Sequence, residues 1–279
     1  MSRTEILEFP ADDVKMRLKA LESILPELGK KLLDLQKKLS KEESGSATRD
    51  LELMEEIDRH AEELLFARMR PEMPADEIIS ESSGRLNGSN EFLWYIDPVD
   101  GARNFLHGSP LFAVSLGLCF RGEVVAGMVL VPALSRTYSA ITGHGATLNG
   151  NPIHTSRMAD ISRSLIATGL PYRRREILSE LMSDISAFIA AGSGLRRTGS
   201  AVLDLCWVAD GTYDAFWESS LKPWDYAAAS VIIREAGGKI SDFHGQPATL
   251  EESDIVATNG KLHQPVVELL ARAADENLN

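Results

Sequence analysis

The first apolar positions of the chain recur with a helical period. From Val14 to Leu39, leucine and valine are spaced by alternating steps of four and three residues. This heptad spacing predicts a helix or helical hairpin, with a kink or break at Pro26 because proline cannot donate the helical hydrogen bond. The helix could be an arm that binds a partner, or it could pack on its own domain. We favour packing, because a helix of a single domain needs the same apolar stripe.

After this segment the pattern changes to that of strands. The polar stretch Lys41–Arg49 predicts a loop, and a second helix is expected from Asp50 to Met69, ended by Pro71. Apolar runs bounded by turn residues then predict a series of strands that includes two hairpins. These strands are Glu77–Ser80, Phe92–Ile96, Phe112–Phe120, Glu123–Val131, Thr137–Ile141 and Ala146–Leu148.

The second half of the chain alternates helices with strands. Its predicted strands are Ser164–Thr168, Tyr213–Trp217 and Asp254–Ala257, and its predicted helices are Glu176–Ala190, Ser200–Ala209, Asp225–Ala236 and a last one from Leu262. Strand clusters mixed with helix pairs indicate a layered α+β fold rather than a simple doubly wound sheet.

Composition narrows the classes of function. The chain has 279 residues, of which 44% are hydrophobic and 25% charged, as in ordinary globular proteins. A formal charge of −12 argues against nucleic acid as the main partner, and it disfavours an anionic substrate unless bound cations reverse the local field. The sequence predicts no membrane span and no signal peptide, so a cytoplasmic location is expected. Cys119 and Cys206 are expected to be buried, reduced thiols.

The most informative stretch reads IDPVDGARNF. An apolar strand runs into Asp97 and Asp100, and we expect the chain to leave the sheet there because Pro98 cannot donate to a ladder and Gly101 permits unusual dihedral angles. Two carboxylates in one small volume repel each other unless a cation lies between them, and Mg²⁺ prefers such oxygen ligands. By itself the motif is a weak signal, because it is also compatible with a turn in which the aspartates cap their own backbone.

Three further acids could join this pair. Glu81 ends the preceding predicted strand, and its local sequence fits a solvated loop acid equally well. Asp225 opens a predicted helix, where an acid is also favoured for helix capping alone. Asp58 lies within a helical pattern and by itself would be interpreted as a surface residue.

Taken together, these segments resemble the inositol monophosphatase family of lithium-sensitive, Mg²⁺-dependent phosphatases. WYIDPVDGARNF is similar to the family signature W-[IV]-[IV]-D-P-[IVL]-D-G-T-x-N-F, and KPWDYAAAS is similar to its second motif, W-D-x-A-A-[GA]. The resemblance covers roughly residues 51–271. It implies one α-β-α-β-α layered sandwich of the inositol monophosphatase and fructose-1,6-bisphosphatase type across residues 1–279. Residues 1–49 would be a variable helical segment, and the family body would span residues 50–271.

The resemblance also implies roles for individual residues. Two or three Mg²⁺ ions would be held by Glu81, Asp97, Asp100 and Asp225, together with the backbone carbonyl of Val99. The catalytic pair would be Asp58, which activates the water, and Glu81. The substrate would be contacted by Gly101, Ala102, Arg103, Gly199, Ser200, Ala201 and Glu218. The implied partners are a small phosphorylated substrate and a second copy of the chain, with no membrane and no nucleic acid as main partner.

The sequence departs from the family pattern where water is activated. Ala102 occupies the position of a family threonine whose hydroxyl orients the attacking water, and Arg103 adds a guanidinium beside it. The family approach V-T-x-x-D to Asp58 is replaced by LMEEID, and Ser82 follows Glu81 where the family has a second acid. These changes leave the predicted metal ligands intact.

Two hypotheses of function follow. The first is an active phosphatase on a small phosphomonoester, with inositol monophosphate as the first substrate to test and fructose-1,6-bisphosphate, histidinol phosphate or a 3′-phosphonucleotide as alternatives. Substrate choice is expected to depend on variable loops such as Gly169–Glu176. The second hypothesis is a weakly active or inactive relative with a regulatory or binding role, which Ala102 and the heptad segment favour.

Overall fold

A computed structural model describes residues 9–39, 47–170 and 178–277. The helices are α1 (Ala11–Leu39), α2 (Ala47–Glu72), α3 (Ala102–Leu106), α4 (Leu178–Ala190), α5 (Ala201–Ala209), α6 (Pro223–Glu235) and α7 (His263–Asn277). The strands are β1 (Glu77–Ser80), β2 (Gly84–Leu86), β3 (Phe92–Asp100), β4 (Ala113–Phe120), β5 (Glu123–Val131), β6 (Arg136–Ile141), β7 (Ala146–Leu148), β8 (Asn151–Pro152), β9 (Leu165–Thr168), β10 (Gly194–Arg196), β11 (Ala215–Leu221), β12 (Lys239–Ser241) and β13 (Ser253–Thr258).

The strands form two sheets that are packed between helices. The first sheet has the order β2-β1-β3-β4-β5-β6-β7-β8, and the second has the order β10-β9-β11-β13-β12. Helices α1 and α2 cover one face of the first sheet, α5 and α6 contact strands of both sheets, and α4 and α7 pack against each other beside the second. This arrangement confirms the predicted α-β-α-β-α sandwich. Among the described helices, none combines the length and apolar content that crossing a bilayer requires.

Helix α1 buries its apolar stripe against its own chain. Val14, Leu21 and Leu32 are fully buried, and the stripe joins the core beneath the first sheet. The helix runs through Pro26 without interruption, so the expected break does not occur. The contacts of α1 with α2 and β5 support the interpretation of a helix that packs on its own domain.

A buried ion pair fixes α1 to the first sheet. The guanidinium of Arg17 donates from Nη2 and Nε to the two oxygens of Asp76 at 2.7 and 2.8 Å, and it lies 3.7 Å from the ring centroid of Phe92. Trp94 Nε1 donates to the same carboxylate at 2.9 Å. Removing one partner of such a buried pair costs about 3–5 kcal/mol, because the remaining charge is left uncompensated.

Several predicted boundaries were wrong. The expected loop Lys41–Arg49 lies partly outside the described residues, but α2 already begins at Ala47 and continues through Pro71 to Glu72. The predicted start of α4 at Glu176 also lies outside the described residues. Strands β2, β8, β10 and β12 were missed, because strands of two or three residues carry too few positions for an alternating pattern. Cys119 and Cys206 are free and buried, as predicted.

Helix α6 lies unusually close to β4 and β5. A methyl group on Gly117 would stand 2.8 Å from Ala227 Cβ, and one on Gly127 would stand 2.3 Å from the backbone oxygen of Ala228. Neither glycine has a positive φ angle, so the requirement for glycine at both positions is one of space. This contact sets the position of the α6 N-terminus relative to the end of β3.

We expect Gly127→Ala to destabilise the protein by about 1–3 kcal/mol, because the added methyl group meets helix backbone rather than a movable side chain. Urea unfolding followed by circular dichroism measures this difference. Gly194→Ala is the matched control, since its new methyl group would meet the Leu165 side chain at 3.2 Å and backbone only at an ordinary contact distance of 3.6 Å. Equal stability of the Gly127→Ala variant and the wild type would contradict the close packing of α6.

Candidate functional site

Asp97 and Asp100 reach the same face of the sheet through a β-bulge. Asp97 pairs with Ser115 of β4 and Asp100 pairs with Ala113, so the register shifts between them. In a regular strand, residues three apart point to opposite faces, whereas one inserted residue brings them to the same face. We predicted that the chain leaves the sheet after Ile96. That boundary was wrong, because β3 continues through the bulge to Asp100.

The parallel pairing of β1 with β3 brings Glu81 beside Asp97. Ser80 lies opposite Ile96 in this pair, and the Glu81 amide donates to the Ile96 carbonyl at 3.2 Å. Glu81 is therefore the first residue beyond β1, next to the first aspartate of the bulge. The sequence placed Glu81 at a strand end, but only the parallel register brings it to this neighbour.

Asp225 enters the site from the first turn of α6. Its Oδ2 accepts from the Lys222 amide at 2.7 Å, so the carboxylate caps its own helix. Ser115 Oγ donates to the Trp224 carbonyl at 2.9 Å, which ties the start of α6 to β4 beside Asp97. The Asp225 side chain therefore caps α6 and also lies in the predicted metal site.

Asp100 is held by the N-terminus of α5. Its Oδ2 accepts from Ser200 Oγ at 2.6 Å and from the Val202 amide at 2.8 Å. Burial raises the pKa of Asp100 to about 6, and the hydrogen bonds from Ser200, Val202 and Ala201 oppose that rise. Ser200, which the resemblance assigned to substrate contact, thus also orients a predicted metal ligand.

Asp58 faces this group of acids from α2. Burial, and then the charges of Glu81 and Glu62, raise the pKa of Asp58 to about 8. Its Oδ1 is buried and has no hydrogen-bond partner among the described residues. One turn further along α2, Glu62 accepts from Ser83 Oγ at 2.9 Å, which fixes the turn after Glu81.

Every predicted site residue lines one cavity of about 230 Å³. They are Asp58, Glu81, Asp97, Val99, Asp100, Gly101, Ala102, Arg103, Gly199, Ser200, Ala201, Glu218 and Asp225. Gly101 has a left-handed φ of 92°, which allows the turn from β3 into α3. The cavity thus gathers residues from both halves of the chain.

Some lining residues were not among the predicted site residues. Asn104 donates from Nδ2 to the carbonyls of Leu111 and Thr198 at 2.6 and 2.9 Å, which joins α3 to the segment before α5. Asp204 is buried on α5, one turn after Ser200, and burial raises its pKa to about 8. That spacing of four residues was the signal that could have found it. Leu170, Arg197 and Leu221 complete the wall, with Gly169 at the end of β9.

The donor chemistry of the cavity fits Mg²⁺. Burial and the charges of neighbouring acids raise the pKa values of Asp97 and Asp225 well above those of ordinary carboxyls. A divalent cation would offset that repulsion, and the donors are all oxygen, as Mg²⁺ prefers. Within the described ranges, however, no group of three or more histidine, cysteine, aspartate or glutamate side chains is arranged to hold a metal ion as it stands.

Comparisons of the sequence with a family model and with known proteins all point to one family. Residues 13–277 match the sequence model of the inositol monophosphatase family. The chain is 41% identical over 211 residues to the Nus factor SuhB of Pseudomonas aeruginosa, covering 74% of this chain and 78% of that protein. It is 40% identical over 221 residues to the inositol-1-monophosphatase of a Synechocystis species, covering 79% of this chain and 77% of that protein.

Solved structures agree with the sequence comparisons. The crystal structure of the extragenic suppressor protein suhB from Bartonella henselae has a TM-score of 0.82 to this chain, at 30% identity. The superposition covers 91% of this chain and 97% of that protein. On its sequence and its fold, the chain belongs to the inositol monophosphatase family.

Proposed function

We propose that the chain is a Mg²⁺-dependent phosphatase that hydrolyses a small phosphomonoester, with inositol monophosphate as the first candidate. The observation that carries this proposal is the convergence of acids from β3, α2, α6 and the end of β1 on one cavity. A cytoplasmic location and a homodimeric assembly belong to the same proposal.

In this proposal, Glu81, Asp97, Asp100 and Asp225 hold the metal ions, with the Val99 carbonyl beside them. Bound Mg²⁺ would supply Lewis acidity toward the phosphoryl group and increase the acidity of the attacking water. The carboxylates keep the ligand oxygens in place through their own hydrogen bonds to Ser200, Val202 and Lys222.

The other residues bind substrate and accept a proton. Asp58 is the base toward water, and its buried Oδ1 has no other hydrogen-bond partner among the described residues. The backbone at Gly101 and Ala102, with the guanidinium of Arg103, binds the phosphate. The remaining predicted contacts hold the hydroxyl-bearing part of the substrate, and they are Gly199, Ser200, Ala201 and Glu218.

A second candidate function is a regulatory or binding role with little turnover. Ala102 supports it, because alanine offers no hydrogen bond to the attacking water. The name of the Pseudomonas aeruginosa relative, a Nus factor, favours it as well. A partner in such a role is proposed to be a protein, since the chain carries a charge of −12.

A panel of phosphomonoesters assayed for released phosphate with millimolar Mg²⁺ separates the two functions. We expect turnover of at least one substrate well above the level of an Asp97→Asn variant. Inositol 1-phosphate, fructose-1,6-bisphosphate, histidinol phosphate and a 3′-phosphonucleotide form the core of the panel. Release no faster than that of Asp97→Asn for every substrate would favour the regulatory function.

We expect millimolar Mg²⁺ to raise the Tm of the wild type, because ligand bound only by the native state stabilises it by mass action. The increase should be much smaller in Asp100→Ala, which removes a proposed ligand. Asp34→Ala, which changes an exposed acid on α1, should keep the full increase. An equal increase in Asp100→Ala would contradict the ligand assignment.

We expect Ala102→Thr to raise kcat by about tenfold, because the new hydroxyl would link the attacking water to Asp58. This gain lies below the ~10²–10⁴ range of general-base catalysis, since the metal already assists the water. An interaction made mainly in the transition state changes kcat more than KM.

The double variant Ala102→Thr with Arg103→Thr tests whether the guanidinium crowds the new hydroxyl. If neither variant exceeds the wild type while Asp58→Asn abolishes turnover, the water is activated by another arrangement. If Asp58→Asn is harmless, the role proposed for Asp58 is wrong.

A further inference from the structure

Gly169 lies beside Glu218 at the open end of the second sheet. Strands β9 and β11 are parallel, and Thr168 is paired with Trp217. The next position on each strand is Gly169 on one side and Glu218 on the other. Both residues line the cavity of the candidate site.

The carboxyl group of Glu218 occupies the space of a side chain at Gly169. A Cβ atom on Gly169 would stand 1.8, 1.9 and 2.0 Å from Cδ, Oε1 and Oε2 of Glu218, and these are the three nearest atoms. The φ angle of Gly169 lies outside the left-handed region, so the backbone itself would accept alanine. The requirement for glycine here therefore comes from the Glu218 carboxyl group.

The strand that carries Glu218 becomes irregular directly after it. The pairing of β11 with β13 shifts between Glu218 and Leu221, and Ser220 has a φ of 63°. Glu218 is therefore the last residue of the regular β11–β13 ladder, and beyond the bulge only Leu221 pairs again. The side chain then lies across the end of the neighbouring strand, where burial and then the charges of Asp225 and Asp100 raise the pKa of Glu218.

We propose that Gly169 is a positioning residue for substrate specificity, which allows the Glu218 carboxylate to meet the hydroxyl-bearing part of a polyol phosphate. This inference rests on the proposed phosphatase function. Gly169 itself touches no reacting atom in this proposal, and it acts only through Glu218.

We expect Gly169→Ala to displace the Glu218 side chain and to leave the backbone fold unchanged. The atoms in its way form the far end of a flexible glutamate, which turns aside more easily than backbone moves. The carboxylate then loses its hydrogen bond to a substrate hydroxyl. One such bond corresponds to a change in binding of about tenfold.

The experiment measures kcat and KM of the full chain with Mg²⁺ for two substrates. Inositol 1-phosphate carries hydroxyl groups on its leaving group, whereas p-nitrophenyl phosphate carries none. We expect Gly169→Ala to raise KM for inositol 1-phosphate about tenfold, with little change in kcat, in KM for p-nitrophenyl phosphate or in Tm.

Three variants make the assignment specific to the Gly169–Glu218 pair. Glu218→Ala should reproduce the KM increase, and adding Gly169→Ala to it should have no further effect, because the obstructing group is gone. Gly194→Ala, in the same sheet and next to the Leu165 side chain, should leave both substrates unchanged.

Two results would overturn the inference. One is an unchanged KM for inositol 1-phosphate in Gly169→Ala, and the other is a full effect of Gly169→Ala in the Glu218→Ala background. If the wild type hydrolyses no substrate of the panel, the proposed function fails separately. A crystal structure of Gly169→Ala then decides the geometry, since an unmoved Glu218 carboxylate would refute the positioning role and a displaced one would support it.

Discussion

The close contact of α6 with the first sheet is the constraint on which the site depends. Gly117 and Gly127 let helix backbone approach strand backbone more closely than any side chain would allow. The first turn of α6 then reaches the end of β3, where Ser115 binds the Trp224 carbonyl. Asp225 can face Asp97 only because this distance is short. The absence of side chains at these two glycines therefore determines how close the acids on α6 and β3 lie to each other.

Two acids of the site also have structural tasks. Asp225 caps α6, and Asp100 accepts the Ser200 hydroxyl and the Val202 amide at the start of α5. These bonds orient carboxylates whose burial raises their pKa values, and the charge of Asp100 raises the pKa of Asp225 further. Such a group is costly to assemble without a cation, which links the stability of the fold to the proposed metal.

The end of the cavity that we propose for the substrate is organised differently. Here the second sheet supplies neighbouring strand ends, and the absence of a side chain at Gly169 defines where the Glu218 carboxyl group lies. Hydrogen bonds orient the acids near β3, whereas the position of the Glu218 side chain depends on the space left by the missing side chain at Gly169. Substitutions at the two ends should therefore differ in character, with rate effects near Asp58 and selectivity effects near Glu218.

The local sequence pattern was sufficient to predict many of the helices and strands of this protein. The heptad spacing of α1 and the apolar runs of β4 and β5 are properties of short segments, so the sequence predicted those elements well, and α6 was predicted with its start two residues late. The motif around Asp97 indicated the family and two acids of the cavity, Asp97 and Asp100. The predicted element boundaries were less accurate. A short strand such as β10 carries too little periodicity to be recognised. Pro26 does not end α1, because packing stabilises the helix on both sides of it.

Only the tertiary structure decided which side chains share the cavity. The bulge that turns Asp97 and Asp100 to one face exists through pairing with β4, and the neighbourhood of Glu81 exists through parallel pairing with β3. The partners of these contacts are distant in sequence or depend on strand register, and neither property is encoded in a local pattern. The sequence by itself determined the residue types and the elements of this protein. Register and close packing, which are non-local, determined the geometry of its site, including the place of Glu218 over Gly169.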